Sequence, residues 1–157
     1  PWRMEYLVQN KVEGCVFCQK LRENVDRENL ILYRSPLACV IMNLYPYNTG
    51  HLMIIPNDHV PNLEDLPEET CVELMYLIRE SLKILREVLH PDGFNVGANI
   101  GKSAGAGIAQ HVHMHVVPRW EGDTNFMPVF AETRVMPEML SDTYDKLMVE
   151  FERLGRK

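Results

Sequence analysis

No apolar run in this 157-residue chain comes near the ~20 consecutive residues that a membrane-spanning helix needs, and the longest, such as Leu52 to Ile55, are strand-sized. The chain reads as soluble, with no membrane partner. Positive charge is also in short supply. Sixteen Lys and Arg stand against 22 Asp and Glu, a formal net charge of −6 and a pI near 5.5. That balance argues against a general nucleic-acid backbone binder, so any anionic ligand must be held by local groups. From Pro1 onward there is no charged-then-apolar leader, so a cytoplasmic location is expected. Repeats, low-complexity tracts and long linkers are missing too. With 46% hydrophobic and 24% charged residues, the composition suits one globular domain over 1–157.

Cysteine is sparse: four residues, at 15, 18, 39 and 71. Without export signals a disulfide framework is not expected. Cys39 in an apolar run and Cys71 on a helix face read as buried thiols. Cys15 and Cys18 differ, because a two-residue gap lets both thiolates reach one ion. A redox pair would want a preceding strand, and the polar stretch Gln9 to Gly14 offers none, so zinc is the preferred reading. Two cysteines supply half of a tetrahedral site. His51, His59, His90 or a histidine further on could complete it, although His90 beside Pro91 is explained more simply by a helix dipole.

Periodicity sets out the rest. Leu30 to Asn43 reads as two strands split at Ser35-Pro36, and His51 to Ile55 as a third, ending at Pro56. Cys71, Leu74, Met75, Ile78, Leu82, Leu85 and Leu89 recur at helical steps between Pro67 and His90. Phe94 to Ile100 returns as a strand before a glycine-rich loop, and Met139 to Phe151 closes the chain as a helix from Pro137.

The loop holds a decoy. Gly97 to Ser103 mimics a phosphate-binding P-loop, but three residues rather than four separate Gly97 from Gly101-Lys102-Ser103, and the segment runs into a strand rather than a helix. Glycines at 101, 105 and 107 still let backbone N–H groups approach an anion. After the loop comes His111-Val112-His113-Met114-His115. Strand alternation would put the three imidazoles on one face and Val112, Met114 and Val116 on the other. Such a row can bind a catalytic zinc, or it can present one ring as a nucleophile toward phosphorus. Spacing alone leaves both open.

The stretch His111 to Val117 matches His-φ-His-φ-His-φ-φ, with φ apolar, and so resembles the histidine triad family of nucleotide hydrolases and transferases. Gly50-His51 before an apolar strand, Pro56, His59, and Asn43 eight residues before His51 extend the resemblance over positions 15 to 120. The resemblance implies an α+β fold: an antiparallel sheet of about five strands with a main helix and a C-terminal helix, paired into a homodimer. It implies that His113 attacks the α-phosphate of a nucleotide, that His115 contacts the phosphate and that His51 supports the site. Asn43 would bind the ribose hydroxyls. Asn99 with Ala106, Gly107, Ile108 and Ala109 would hold the α-phosphate region. Family members with an early Cys-x-x-Cys bind zinc through that pair and two histidines; carried over, the ligands are Cys15, Cys18, His59 and His111. Four such ligands close the tetrahedron, so the zinc would be structural. The opening Pro1 to Tyr6 and the segment Pro118 to Pro128, which runs from the core of about 15–120 into the C-terminal extension 121–157, look most like the subgroup acting on diadenosine polyphosphates. That implies an enzyme cleaving dinucleoside polyphosphates, with water or phosphate as acceptor. A zinc-stapled nucleotide- or partner-binding module with little catalysis is the alternative.

Overall fold

A computed structural model of the chain describes residues 14–124 and 138–156. The readings made of positions 1–6 and of 125–137 lie outside these residues. In chain order the elements are α1 (Val16–Arg22), β1 (Ile31–Arg34), β2 (Ala38–Met42), β3 (Leu52–Pro56), α2 (Glu68–Leu89), β4 (Gly93–Gly97), β5 (Met114–Arg119) and α3 (Leu140–Leu154). The strands form one antiparallel sheet in the order β1-β2-β3-β5-β4. This is the expected α+β architecture.

The strand alternation sorts the core into two layers. Val40, Met42, Leu52 and Ile54 face a large cluster with Leu77 and Leu85 of α2 and Leu147 and Phe151 of α3. Cys39, Ile41, Met53 and Ile55 face the other way, against Cys15 and Phe17. Every residue of β2 and β3 is therefore buried. Coverage on both faces explains why these strands read as unbroken apolar runs. Two turns of helix, α1, supply the second cover, and a segment that short leaves too little periodicity to be read in advance.

The buried face of α2 is rotated from the expected one. Thr70, Leu74, Leu77, Ile78, Ser81, Ile84 and Leu85 are buried, whereas Cys71 and Met75 are exposed. The small side chains of Thr70 and Ser81 take inward positions that a count of apolar residues passes over. Cys71 is thus not the buried thiol expected. His90 caps α2 in the left-handed conformation, with its N–H on the Arg86 carbonyl, and takes no part in the metal cluster.

The histidine row departs from a continuous strand. β5 begins at Met114, so only His115 lies in the ladder. Pro56 has no N–H to continue pairing, and the chain before β5 turns to the following loop, where the Val112 N–H meets the Val60 carbonyl at 2.8 Å. The alternation survives even so. Val112 and Val116 enter the large cluster with Met114 packed against it, while Phe17 contacts the rings of His111 and His113.

Gly50 shows why a glycine precedes His51. Its φ is +78°, and a Cβ there would collide with Leu89 and press on Leu85 and Pro118. Gly50→Ala is expected to destabilise the fold by about 1–3 kcal/mol, because strain and overpacking add. In thermal unfolding, each kcal/mol lowers Tm by roughly 2–4 °C for a chain of this size. An unchanged Tm would contradict the packing argument.

Candidate active site and metal centre

Four ligand atoms converge from three separated segments. The Sγ of Cys15, at the N-terminus of α1, lies 3.4 Å from His111 Nδ1, and Cys18 Sγ lies 3.6 Å from the same atom. His59 Nδ1 is 3.3 Å from both Cys18 Sγ and His111 Nδ1. All four atoms fall within 4.8 Å of one another. A tetrahedron with Zn–S near 2.3 Å and Zn–N near 2.05 Å has edges of about 3.3 Å between nitrogens and about 3.6 Å between nitrogen and sulfur. The four separations given above fit those edges. Burial and the neighbouring Cys15 push the Cys18 thiol above its ordinary range, a cost that a divalent cation between the two thiolates would offset.

Backbone groups fix the proton positions on the rings. A carbonyl can only accept, so the contact from His111 Nε2 to the Pro56 carbonyl, 2.8 Å, places the proton on Nε2 and leaves Nδ1 as the ligand atom. Likewise His113 Nδ1 donates to the His111 carbonyl at 2.9 Å, which leaves the His113 lone pair on Nε2. An N–H can only donate, so the Tyr47 N–H at 3.0 Å makes His51 Nδ1 an acceptor. His51 Nε2–H then donates to His115 Nδ1 at 2.9 Å, and the proton of a neutral His115 sits on Nε2. One row of histidines is thereby split three ways: the His111 lone pair on Nδ1 faces Cys15, Cys18 and His59, the His113 lone pair sits on Nε2, and His115 carries a donor on Nε2.

Burial pushes the His113 imidazole below its ordinary range, against the opposing effect of its bond to the His111 carbonyl, and so favours the neutral ring. Burial acts on His111 in the same direction. Burial also pushes the Cys39 thiol up to about 12. Cys39 should therefore resist iodoacetamide at pH 8 in the native protein, whereas exposed Cys71 is modified, as peptide mapping would show. Early labelling of Cys39 would argue against its burial under α1.

His113 and His115 open onto a cleft of about 300 Å³. Asn43 and Asn99 line it, as do Ala106, Gly107 and Ile108. His51 is fully buried behind His115, and Ala109 does not line the cleft. Thus the structure gathers the expected residues at one place, apart from Ala109 and the enclosed His51. Sequence reasoning missed several of its walls: Tyr45 and Tyr47 on the loop before β3, Phe17 of α1, Met53 of β3 and Lys102 of the glycine-rich loop. The Tyr47 ring also stacks on His51, centroids 4.9 Å apart and 23° between planes.

Asp123 ties the loop before β3 to the sheet. Its carboxylate accepts from Asn48 Nδ2 at 2.7 Å, from Arg119 Nε at 2.6 Å and from the Trp120 N–H at 3.1 Å. These donors, Arg119 first, hold its carboxyl well below the usual carboxylate range. Asn48 follows Tyr47, so this anchor helps position the N–H that orients His51.

A family model described as HIT domain matches residues 24–122. The chain belongs to the HIT family. Along 98% of its length it is 39% identical to a protein named AP-4-A phosphorylase from Mycobacterium tuberculosis, covering 83% of that protein. It is 32% identical over 93 residues to the asymmetrical bis(5'-nucleosyl)-tetraphosphatase of Schizosaccharomyces pombe, covering 59% of this chain and 50% of that one. Among solved structures, a Zn-bound histidine triad family protein from Mycobacterium smegmatis superposes with a TM-score of 0.73 at 28% identity, covering 91% of this chain and 96% of that one. That superposition covers the five-stranded antiparallel sheet and flanking helices described above as an α+β HIT-like fold.

Proposed function

We propose that this HIT protein cleaves dinucleoside polyphosphates at an α-phosphate through a nucleotidyl-His113 intermediate, with inorganic phosphate as the preferred acceptor. The observation that carries the reading is the proton arrangement at the cleft. His113 keeps its Nε2 lone pair because its own Nδ1–H is tied to a carbonyl, and burial favours the neutral ring. In the first step Nε2 forms a bond to the α-phosphorus while the bond to the bridging oxygen breaks; diadenosine tetraphosphate would release ATP. The His115 Nε2–H, oriented through His51, would donate to the phosphate as negative charge builds. Asn43 and Asn99 are suited to the ribose and the α-phosphate, with the backbone of 106–108 alongside. In the second step the acceptor displaces Nε2. The 39% identity to a protein named AP-4-A phosphorylase supports phosphate in that role.

Zinc is the proposed ion for the cluster of Cys15, Cys18, His59 and His111, because the edges suit it and two thiolates with two imidazoles are a typical zinc set. It would staple α1, the loop after β3 and the segment before β5, without entering the chemistry. A homodimer is the proposed assembly. The outer edge of β4, unpaired among the described residues, and the exposed apolar side chains Val72, Met75 and Tyr76 on α2 support it. Sedimentation should then give twice the 18.2 kDa chain mass, and a monomer at micromolar concentration would refute it.

Incubation with diadenosine tetraphosphate, with and without inorganic phosphate, tests the function. ADP plus ATP is the expected phosphate-dependent outcome, and AMP plus ATP would reveal water as acceptor. Binding of adenine nucleotides with no cleavage under either condition would favour the non-catalytic module instead.

A further inference from the structure

We infer that Lys102 is the anion clamp of the cleft, holding the free phosphate that takes the nucleotide from His113; this rests on the phosphorolytic reading above. Among the described residues lining the cleft Lys102 is the one Lys or Arg, and none of them is an Asp or Glu. The chain carries a net charge of −6, so a free phosphate dianion would be repelled by the molecule at large unless a local cation offset that field. Among the described residues no ion pair involves Lys102.

The loop is built to present this side chain. Gly101 and Gly105 adopt φ of +81° and +86°, flanking a single 3-10 turn over Lys102–Ala104. The Gly105 N–H closes on the Lys102 carbonyl at 3.0 Å and the Ala106 N–H on the Gly101 carbonyl at 3.3 Å. Lys102 therefore stands on a hydrogen-bonded turn beside the 105–108 wall, and it is exposed rather than packed.

The chemistry places the acceptor. A phosphate oxygen must approach the α-phosphorus opposite Nε2, the direction in which the polyphosphate departed. A new O–P bond forms as the P–N bond breaks, its electrons return to Nε2 as neutral imidazole, and ADP is released. The departing and entering phosphates thus share one position. A dinucleotide is also anchored by its nucleosides, whereas free phosphate has only its charge and oxygens to hold it. Water is neutral and gains nothing from a cation there. Loss of the ammonium should therefore fall selectively on phosphorolysis.

The test is the ratio of ADP to AMP formed from diadenosine tetraphosphate across a phosphate titration, in the intact protein and in Lys102→Ala and Lys102→Arg. A charge-assisted contact predicts that Lys102→Ala raises the KM for phosphate by about tenfold or more and lowers the ADP:AMP ratio at fixed phosphate by a similar factor, with Lys102→Arg recovering most of both. A product ratio is insensitive to the fraction of folded enzyme, so partial unfolding would not move it, and recovery in Lys102→Arg separates charge from loop geometry. An unchanged phosphate KM, equal losses of ADP and AMP, or a wild-type protein that yields only AMP at saturating phosphate would each overturn the assignment. A wild-type protein that cleaves nothing would instead overturn the underlying function, and the assignment with it.

Discussion

His113→Ala should lower kcat for diadenosine tetraphosphate by at least about 10³-fold, or about 4 kcal/mol of transition-state stabilisation. The expectation follows from tautomer rather than position alone. His115 is engaged at Nδ1 by His51, and the Nδ1 of His111 belongs to the metal cluster, so neither presents an equivalent lone pair to phosphorus. No neighbouring ring can take over. The same variant should abolish trapping of labelled nucleotide on the protein, because the P–N bond has nowhere to form. His113 is only 6% exposed, so folding must be checked independently, by far-UV circular dichroism and by metal content. A folded variant with near-normal turnover would remove His113 as nucleophile. Retained turnover without a trappable intermediate would point to direct attack by the acceptor.

The sequence made the sheet legible because its strands sit between turn residues and its apolar runs are strand-length. The length of α2 was equally plain, yet its rotation was not. Cys71 and Met75 fit a helical count, but Thr70 and Ser81 are the residues against the core, and apolar periodicity has no weight for small polar side chains on an inward face. At the site, Cys15, Cys18, His59 and His111 were named from resemblance and meet at ligand distances. What resemblance could not provide is the set of carbonyl and N–H partners that divides the histidines, since the Pro56 carbonyl and the Tyr47 N–H belong to the backbone and leave no mark on residue type. Asp123 and Asn48 were hidden for a related reason. They lie 75 positions apart and each alone reads as a turn residue.

Stripping the metal should lower stability and activity together, and this is the second large effect. The four proposed ligands join α1, the loop after β3 and the segment leading into β5, and α1 otherwise meets that segment through Phe17 on the rings of His111 and His113. Structural zinc contributes on the order of 10 kcal/mol in small zinc-dependent folds. Even a third of that would lower Tm by roughly 10 °C in a chain of this length. Activity should follow, because the carbonyl that orients His113 belongs to His111, itself a proposed zinc ligand. Chelation, or Cys18→Ala, should therefore reduce Tm and turnover in parallel, and zinc should restore both to the chelated protein but not fully to the variant. A metal that acted on the phosphate directly would behave differently: turnover would vanish while Tm held. One zinc per chain by elemental analysis, together with thiolate-to-metal absorption on cobalt substitution, would place the ion at the two cysteines. Cobalt binding without that absorption would place it elsewhere.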